Sequence, residues 1–192
     1  MSELPLIAVT DSASCPRPLA EQIERLTKLT ELRPQAVILR AKALDKAAYR
    51  TLALQAQQSC EAAGIPLILH SDWQLAHDLG ISMLHLPLAL LRQISEYERA
   101  YFTWLSTSVH SVGEAQEAQA LGATVLIAGH IYTTQCKAGL APRGLSFLQA
   151  VCSAISLPVY AIGGIGFDAA QHAELQANGA RGACVMSAYM RL

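Results

Sequence analysis

Apolar positions fall in eight short continuous runs, separated by longer stretches with helical spacing. The runs are LIAV (6–9), AVIL (36–39), PLIL (66–69), MLHL (83–86), FTWL (102–105), VLIA (125–128), PVYAI (158–162) and ACVM (183–186). Continuous apolarity over four or five residues predicts strands buried on both faces, as in a parallel sheet. In residues 17–32, Leu19, Ile23, Leu26 and Leu29 share one helical stripe. Residues 45–63 are rich in Ala, Leu and Gln, and Gly64 with Pro66 just beyond marks a helix end. Ser111 with Glu114 matches a capping box opening a helix that Gly122 ends; Asp168 opens another ending at Gly179. The segments AAGIPLIL, DLGISMLHL, ALGATVLIA and ANGARGACVM repeat one order: helix, glycine, small residue, apolar strand.

Eight strand–helix units in succession predict a (β/α)8 TIM barrel, because a flavodoxin-like doubly wound sheet would use only five or six. The whole of 1–192 reads as one domain, without linker or low-complexity tract. It is short for a fold that typically takes ~250 residues. The sequence stops at Met190-Arg191-Leu192, where an eighth helix should begin, so that helix is expected to be short or missing.

Composition narrows the class. Hydrophobic residues make up 52% and charged residues 15%, enough to build a large core and to argue against disorder. Fourteen basic and 15 acidic residues give a net charge of -1, with no basic face for a nucleic-acid backbone. No apolar run approaches the ~20 residues of a spanning helix, so no membrane partner is expected. The opening MSELPLIAVTDS lacks the basic start of a secretory signal. Five widely spaced cysteines without a CxxC read as reduced thiols, and the expected location is cytoplasmic.

In such barrels the chemistry lies at the carboxyl ends of the strands. The polar residues following the runs would therefore converge: Thr10 and Asp11; Arg40 and Lys42; His70, Ser71 and Asp72; Ser106, Thr107, Ser108 and His110; Gly129 and His130; Gly163 and Gly164; Ser187. Ordinary structural roles compete for several of them. Asp11, Ser71 and Asp72 serve equally well as turn or helix caps. His85 lies within an apolar run and reads as a hydrogen-bonded core or rim residue. His77 and His172 fall on helical surfaces, and His110 also fits an ordinary position before a helix. His130 directly follows VLIAG and precedes a long loop, which points it into the mouth.

PVYAIGGIG (158–166) has a clear physical use. Paired glycines let backbone N–H groups approach an anion, and barrels often hold phosphate between the loops after strands seven and eight. Ser187 and Ala188 would supply the other half of that cup. Loop six, GHIYTTQCKAGLAPRGLSFL (129–148), is long enough to act as a lid or substrate contact, and brings Cys136, Lys137 and Arg143 toward the mouth. Nothing local activates Cys136, which reads as an inert thiol contacting a ligand.

VILRAK (37–42), MLHL (83–86), STSVHS (106–111), loop six, LPVYAIGGI (157–165) and GARGACVMSA (179–188) occur in the order found across the thiamin phosphate synthase superfamily. This resemblance covers about residues 5–190. The Gly-His pair and the CKxGLxxRG pattern of loop six resemble its thiazole tautomerase branch. Synthase relatives usually carry Pro where His130 stands and Thr near Cys136. They also carry Gln where this chain has Ile38, and Asn-Asp where it has His70-Ser71. That Asp helps hold magnesium, which needs hard anionic oxygens.

The resemblance implies isomerisation of the ylidene tautomer of a thiazole phosphate carboxylate to aromatic 2-(2-carboxy-4-methylthiazol-5-yl)ethyl phosphate. Aromaticity drives the reaction, so no metal and no redox cofactor is expected. Histidine suits both proton steps because its ordinary pKa is ~6.5. On this reading His130 is the acid/base and Gly163, Gly164 and Ser187 grip phosphate. Arg40 and Lys42 meet the carboxylate, while Ser108, His110 and Cys136 line the pocket. Superfamily barrels are often dimers, so a homodimer is compatible with it. Three rivals remain: a magnesium-dependent thiamin phosphate synthase, a silent thiazole-phosphate-binding or regulatory protein, and a metal hydrolase built from His70, His110 and His130.

Overall fold

The structure, a computed structural model, describes residues 4–137 and 139–192. Eight parallel strands close a barrel in sequence order: β1 (Leu6–Val9), β2 (Ala36–Leu39), β3 (Leu67–His70), β4 (Met83–Pro87), β5 (Trp104–Val109), β6 (Val125–Gly129), β7 (Val159–Ile162) and β8 (Gly182–Val185). β8 pairs back onto β1 with Cys184 opposite Ile7. The expected TIM barrel is thus the observed fold. Around it lie α1 (Leu19–Thr27), α2 (Lys46–Ala63), α3 (Trp73–Asp78), α4 (Leu88–Leu91), α5 (Glu96–Ala100), α6 (Val112–Ala120), α7 (Gly144–Ala154), α8 (Ala169–Ala177) and α9 (Ser187–Met190).

Strand periodicity divides the apolar runs between two cores. Ile7, Val9, Ile38, Ile68, Ile127, Tyr160 and Cys184 fill the barrel interior, while Ala8, Val37, Leu39, Leu69 and Leu126 pack outward beneath the helices. Runs that are apolar throughout are thereby explained, since both faces of each strand are covered. No helix among the described residues is long and apolar enough to cross a membrane.

The short final helix is anchored by polar contacts. Gln22 of α1, fully buried, donates to the Tyr189 carbonyl at 2.6 Å, and the buried Tyr189 donates its hydroxyl to the Leu32 carbonyl at 2.9 Å. β5 departs from the sequence reading: it starts two residues later and runs through Ser106, Thr107 and Ser108 instead of ending before them. Hydroxyl residues are tolerated there because Ser106 and Ser108 both bond His85 of β4. The Ser111 cap forms, accepting from the Glu114 amide at 3.1 Å, but Glu114 reaches one residue further back than a capping box requires. It accepts from the His110 amide at 2.6 Å and so fixes the residue at the barrel mouth.

Candidate active site

A cavity of about 680 Å³ opens at the carboxyl ends of the strands. Of the polar residues expected to converge at the mouth, Thr10, Asp11, Ser71, Asp72, Ser106 and Thr107 stay outside its lining. Every residue given a part in substrate binding or proton transfer lines it: Arg40 and Lys42 after β2, Ser108 in β5, His110 after β5 and His130 after β6. Cys136 of loop six, Gly163 and Gly164 after β7, and Ser187 at the start of α9 complete that set. Arg143 does not reach it; its guanidinium lies 5.6 Å from the Phe147 ring centre instead. Thr133, Thr134, Met186 and Arg191 also line the cavity without having been singled out.

The β6 and β7 exits are packed backbone against backbone. A side chain on Gly129 would strike Ile162, with its Cγ2 at 2.6 Å. One on Gly163 would strike His130, with its Cα at 2.8 Å, and one on Gly164 would strike Tyr132 Cβ at 2.8 Å. Gly163 (φ +104°) and Gly164 (φ +70°) also hold left-handed conformations that favour glycine. This closeness sets His130 beside the glycine turn. His130 is 5% exposed, its Nε2 faces the Leu140 carbonyl at 3.3 Å, and its Nδ1 is enclosed with no partner among the described residues. The amides of Gly164, Ile165, Ser187 and Ala188 have no protein acceptor among the described residues, although all four residues line the cavity. Such free N–H groups are what an anion cup requires.

At the β4–β5 wall a hydrogen-bonded chain fixes His85, as its apolar setting suggested. Ser106 donates to the Leu84 carbonyl at 3.3 Å, so its oxygen accepts from His85 Nδ1 at 3.0 Å. His85 Nε2 then accepts from the Ser108 hydroxyl at 3.0 Å. Burial, with His70 nearby, pushes the His85 pKa down to about 3. The His70 and His85 rings lie 5.2 Å apart. Burial and then the charges of Arg40 and Lys42 lower His70 to about 4, and its Nδ1 meets the Ser71 hydroxyl at 2.6 Å. Both imidazoles are neutral in the folded protein, whereas unfolded ones protonate below their ordinary 6.5. Unfolded chains therefore bind more protons from pH 6.5 down to about 4 for His70 and about 3 for His85, and stability falls as pH drops through that window. His85→Gln should flatten this loss, measured as melting temperature against pH.

Among the remaining polar residues only some take the structural parts considered for them. Asp72 caps α3, accepting from the Leu75 amide at 2.9 Å. Asp11 pairs with Arg40 at 2.5 Å and accepts from Ser14 at 2.7 Å. Burial pushes its carboxyl up, but the Ser14 and Arg40 hydrogen bonds and the Arg40 charge outweigh this and hold it below the ordinary range. His77 is exposed against Tyr101, whereas His172 is half-buried and bonds the Gly166 carbonyl through Nε2 at 2.8 Å, unlike the surface placement expected.

Among the described residues the lining holds Arg40, Lys42, Lys137 and Arg191 but no Asp or Glu. A divalent ion escorting a pyrophosphate needs carboxylate oxygens. Asp11 and Asp72, the carboxylates that follow β1 and β3, are engaged by Arg40 and by a helix cap. No group of three His, Cys, Asp or Glu among the described residues is arranged to hold a metal, which also removes the basis for a trihistidine hydrolase. The donor set does not fit magnesium.

Residues 6–189 match the family model described as thiamine monophosphate synthase. The chain belongs to that family. It is 36% identical over 147 residues to a thiamine-phosphate synthase of Listeria monocytogenes, covering 74% of this chain and 67% of that protein. It is 38% identical over 157 residues to one of Herpetosiphon aurantiacus, covering 79% and 73%. Thiamine phosphate pyrophosphorylase from Pyrococcus furiosus superposes with a TM-score of 0.79 at 23% identity, over 98% of this chain and 88% of that one. FabK from Thermotoga maritima does so with 0.73 at 18% identity, over 97% and 59%. These two structural likenesses concern the barrel alone.

Proposed function

We propose that this family member is a metal-independent isomerase, a thiazole tautomerase. It converts the ylidene tautomer of carboxythiazole phosphate to the aromatic 2-(2-carboxy-4-methylthiazol-5-yl)ethyl phosphate. One observation carries the reading: among the described residues the mouth combines an amide-lined cup, cations and four histidines with no carboxylate. That composition suits a small molecule bearing a phosphate and a carboxylate and undergoing proton transfer, and does not suit a metal–pyrophosphate leaving group. About 680 Å³ is ample for such a ligand.

Phosphate sits beside Gly163, on the free backbone amides of Gly164, Ile165, Ser187 and Ala188. Lys42 and the part of the Arg40 guanidinium not taken by Asp11 receive the carboxylate. Between them the thiazole ring lies against His130, the assigned acid/base, with Ser108, His110 and Cys136 on the surrounding wall. Cationic lining near a developing negative ring lowers the barrier to C2 deprotonation.

The names of the curated relatives favour a second reading, a magnesium-dependent thiamin phosphate synthase. Supplying thiazole phosphate, the pyrimidine diphosphate and Mg²⁺ separates the two. The tautomerase reading expects no pyrophosphate release above background and tautomer turnover unchanged by EDTA. Pyrophosphate release matched by thiamin phosphate formation would favour the synthase.

A further inference from the structure

General base catalysis needs an imidazole nitrogen that is unprotonated, reachable and without a competing partner. Four histidines line the cavity, and their hydrogen bonds rank them. His85 has both nitrogens engaged by serines. His70 is a weak base, held down by burial and by Arg40 and Lys42. His130 points Nε2 at the Leu140 carbonyl, which only accepts, so that nitrogen carries hydrogen; its Nδ1 is enclosed. His110 differs. Its Nδ1 lies 2.7 Å from the Gly129 carbonyl and must carry the hydrogen, which leaves the lone pair of the neutral ring on Nε2. No protein group among the described residues bonds that nitrogen. Glu114 holds the His110 amide at 2.6 Å, so the ring is anchored from both sides.

We propose that His110 is a second catalytic residue: its Nε2 removes the ring proton, and His130 returns a proton to the exocyclic carbon. This rests on the tautomerase reading. The C2–H pair becomes the C2=N3 bond, the N3=C4 pair becomes C4=C5, and the exocyclic C=C pair takes the Nε2 proton of His130 in its imidazolium form. That ring gives up the long 3.3 Å contact to the Leu140 carbonyl and keeps hydrogen on the enclosed Nδ1. His110 ends as imidazolium and His130 as neutral imidazole, and exchange with solvent resets both. A phosphate at Gly163, whose backbone packs against His130, supplies the counter-charge for the His130 imidazolium.

The test uses the ylidene tautomer deuterated at C2, with the full chain and each of two variants. His110→Asn keeps an N–H donor for the Gly129 carbonyl but lacks the lone pair. It should lose ~10²-fold or more in turnover and exchange no C2 label with solvent. His130→Asn should lose C2 label to solvent faster than it forms product, because the base half of the reaction survives. Wild-type product should carry solvent hydrogen at the exocyclic carbon. Two results overturn the two-histidine assignment yet leave the tautomerase reading intact: intact transfer of the C2 label to the exocyclic carbon by wild type, or His110→Asn turnover within about threefold of wild type. The wild-type label result stands even if a variant fails to fold. If wild type does not accelerate product formation at all, the tautomerase reading fails and this assignment with it.

Discussion

Replacing His130 with Asn is expected to lower tautomer turnover by about 10²–10⁴-fold, the usual share of a positioned acid/base. The prediction follows from where the barrel puts this ring. Gly129 and Gly163 let the β6 and β7 exits approach so closely that His130 is wedged beside the phosphate cup. It is 5% exposed, and its Nδ1 has no partner among the described residues. Leaving a buried polar atom unpaired is costly, so a side chain there for packing alone would be better replaced by an apolar one. Asn is smaller than His and removes no protein hydrogen bond beyond the 3.3 Å contact to Leu140. The variant should therefore melt close to wild type while losing rate. Turnover in EDTA and a melting curve check both halves; near wild-type turnover would remove His130 from the chemistry.

Gly163→Ala should damage stability and phosphate binding together. Gly163 has φ +104°, which an alanine holds only under strain, and the added methyl would sit 2.8 Å or less from His130 backbone and side-chain carbons. Both of those atoms belong to a buried strand exit, so little relief is available. Overpacking of this kind costs about 1–3 kcal/mol, and each kcal/mol lowers the melting temperature by about 2–4 °C in a domain of this size. Any shift that relieves the clash also moves the neighbouring Gly164 amide, so affinity for thiazole phosphate should fall with stability. Gly166→Ala is the control, since nothing lies within 4 Å of a side chain there and its φ is not left-handed. Calorimetric melting and titration with the thiazole phosphate would read both. Equal behaviour of the two variants would mean that the close approach at Gly163 does not shape the cup.

Much of the barrel could be read from local pattern because each strand is buried on both faces and punctuated by a glycine turn. Gly64 illustrates the punctuation: it ends α2 at φ +64° with its amide bonded back into the helix. The register of β5 escaped because hydroxyl residues end an apolar run on paper but not in space, where His85 satisfies two of them. The Ser95–Glu98 capping box of α5 was present in the sequence, and the pattern SEYE would have located that helix. The cavity residues were legible since every strand delivers its carboxyl end to one mouth. Their partners were not. Asp11 meets Arg40 across 29 residues and His110 meets Gly129 across 19, and no spacing rule encodes either pair. Those pairs decide which cation is partly neutralised and which imidazole nitrogen is free.

The most direct measurement of the central claim follows freshly generated ylidene thiazole phosphate carboxylate with purified protein in EDTA. Formation of the aromatic product is compared with the unassisted rate. The tautomerase reading predicts acceleration that grows with protein concentration and is unchanged by added Mg²⁺. A rate equal to the unassisted one, with the thiazole phosphate still bound, would contradict it and leave a silent phosphate-binding barrel.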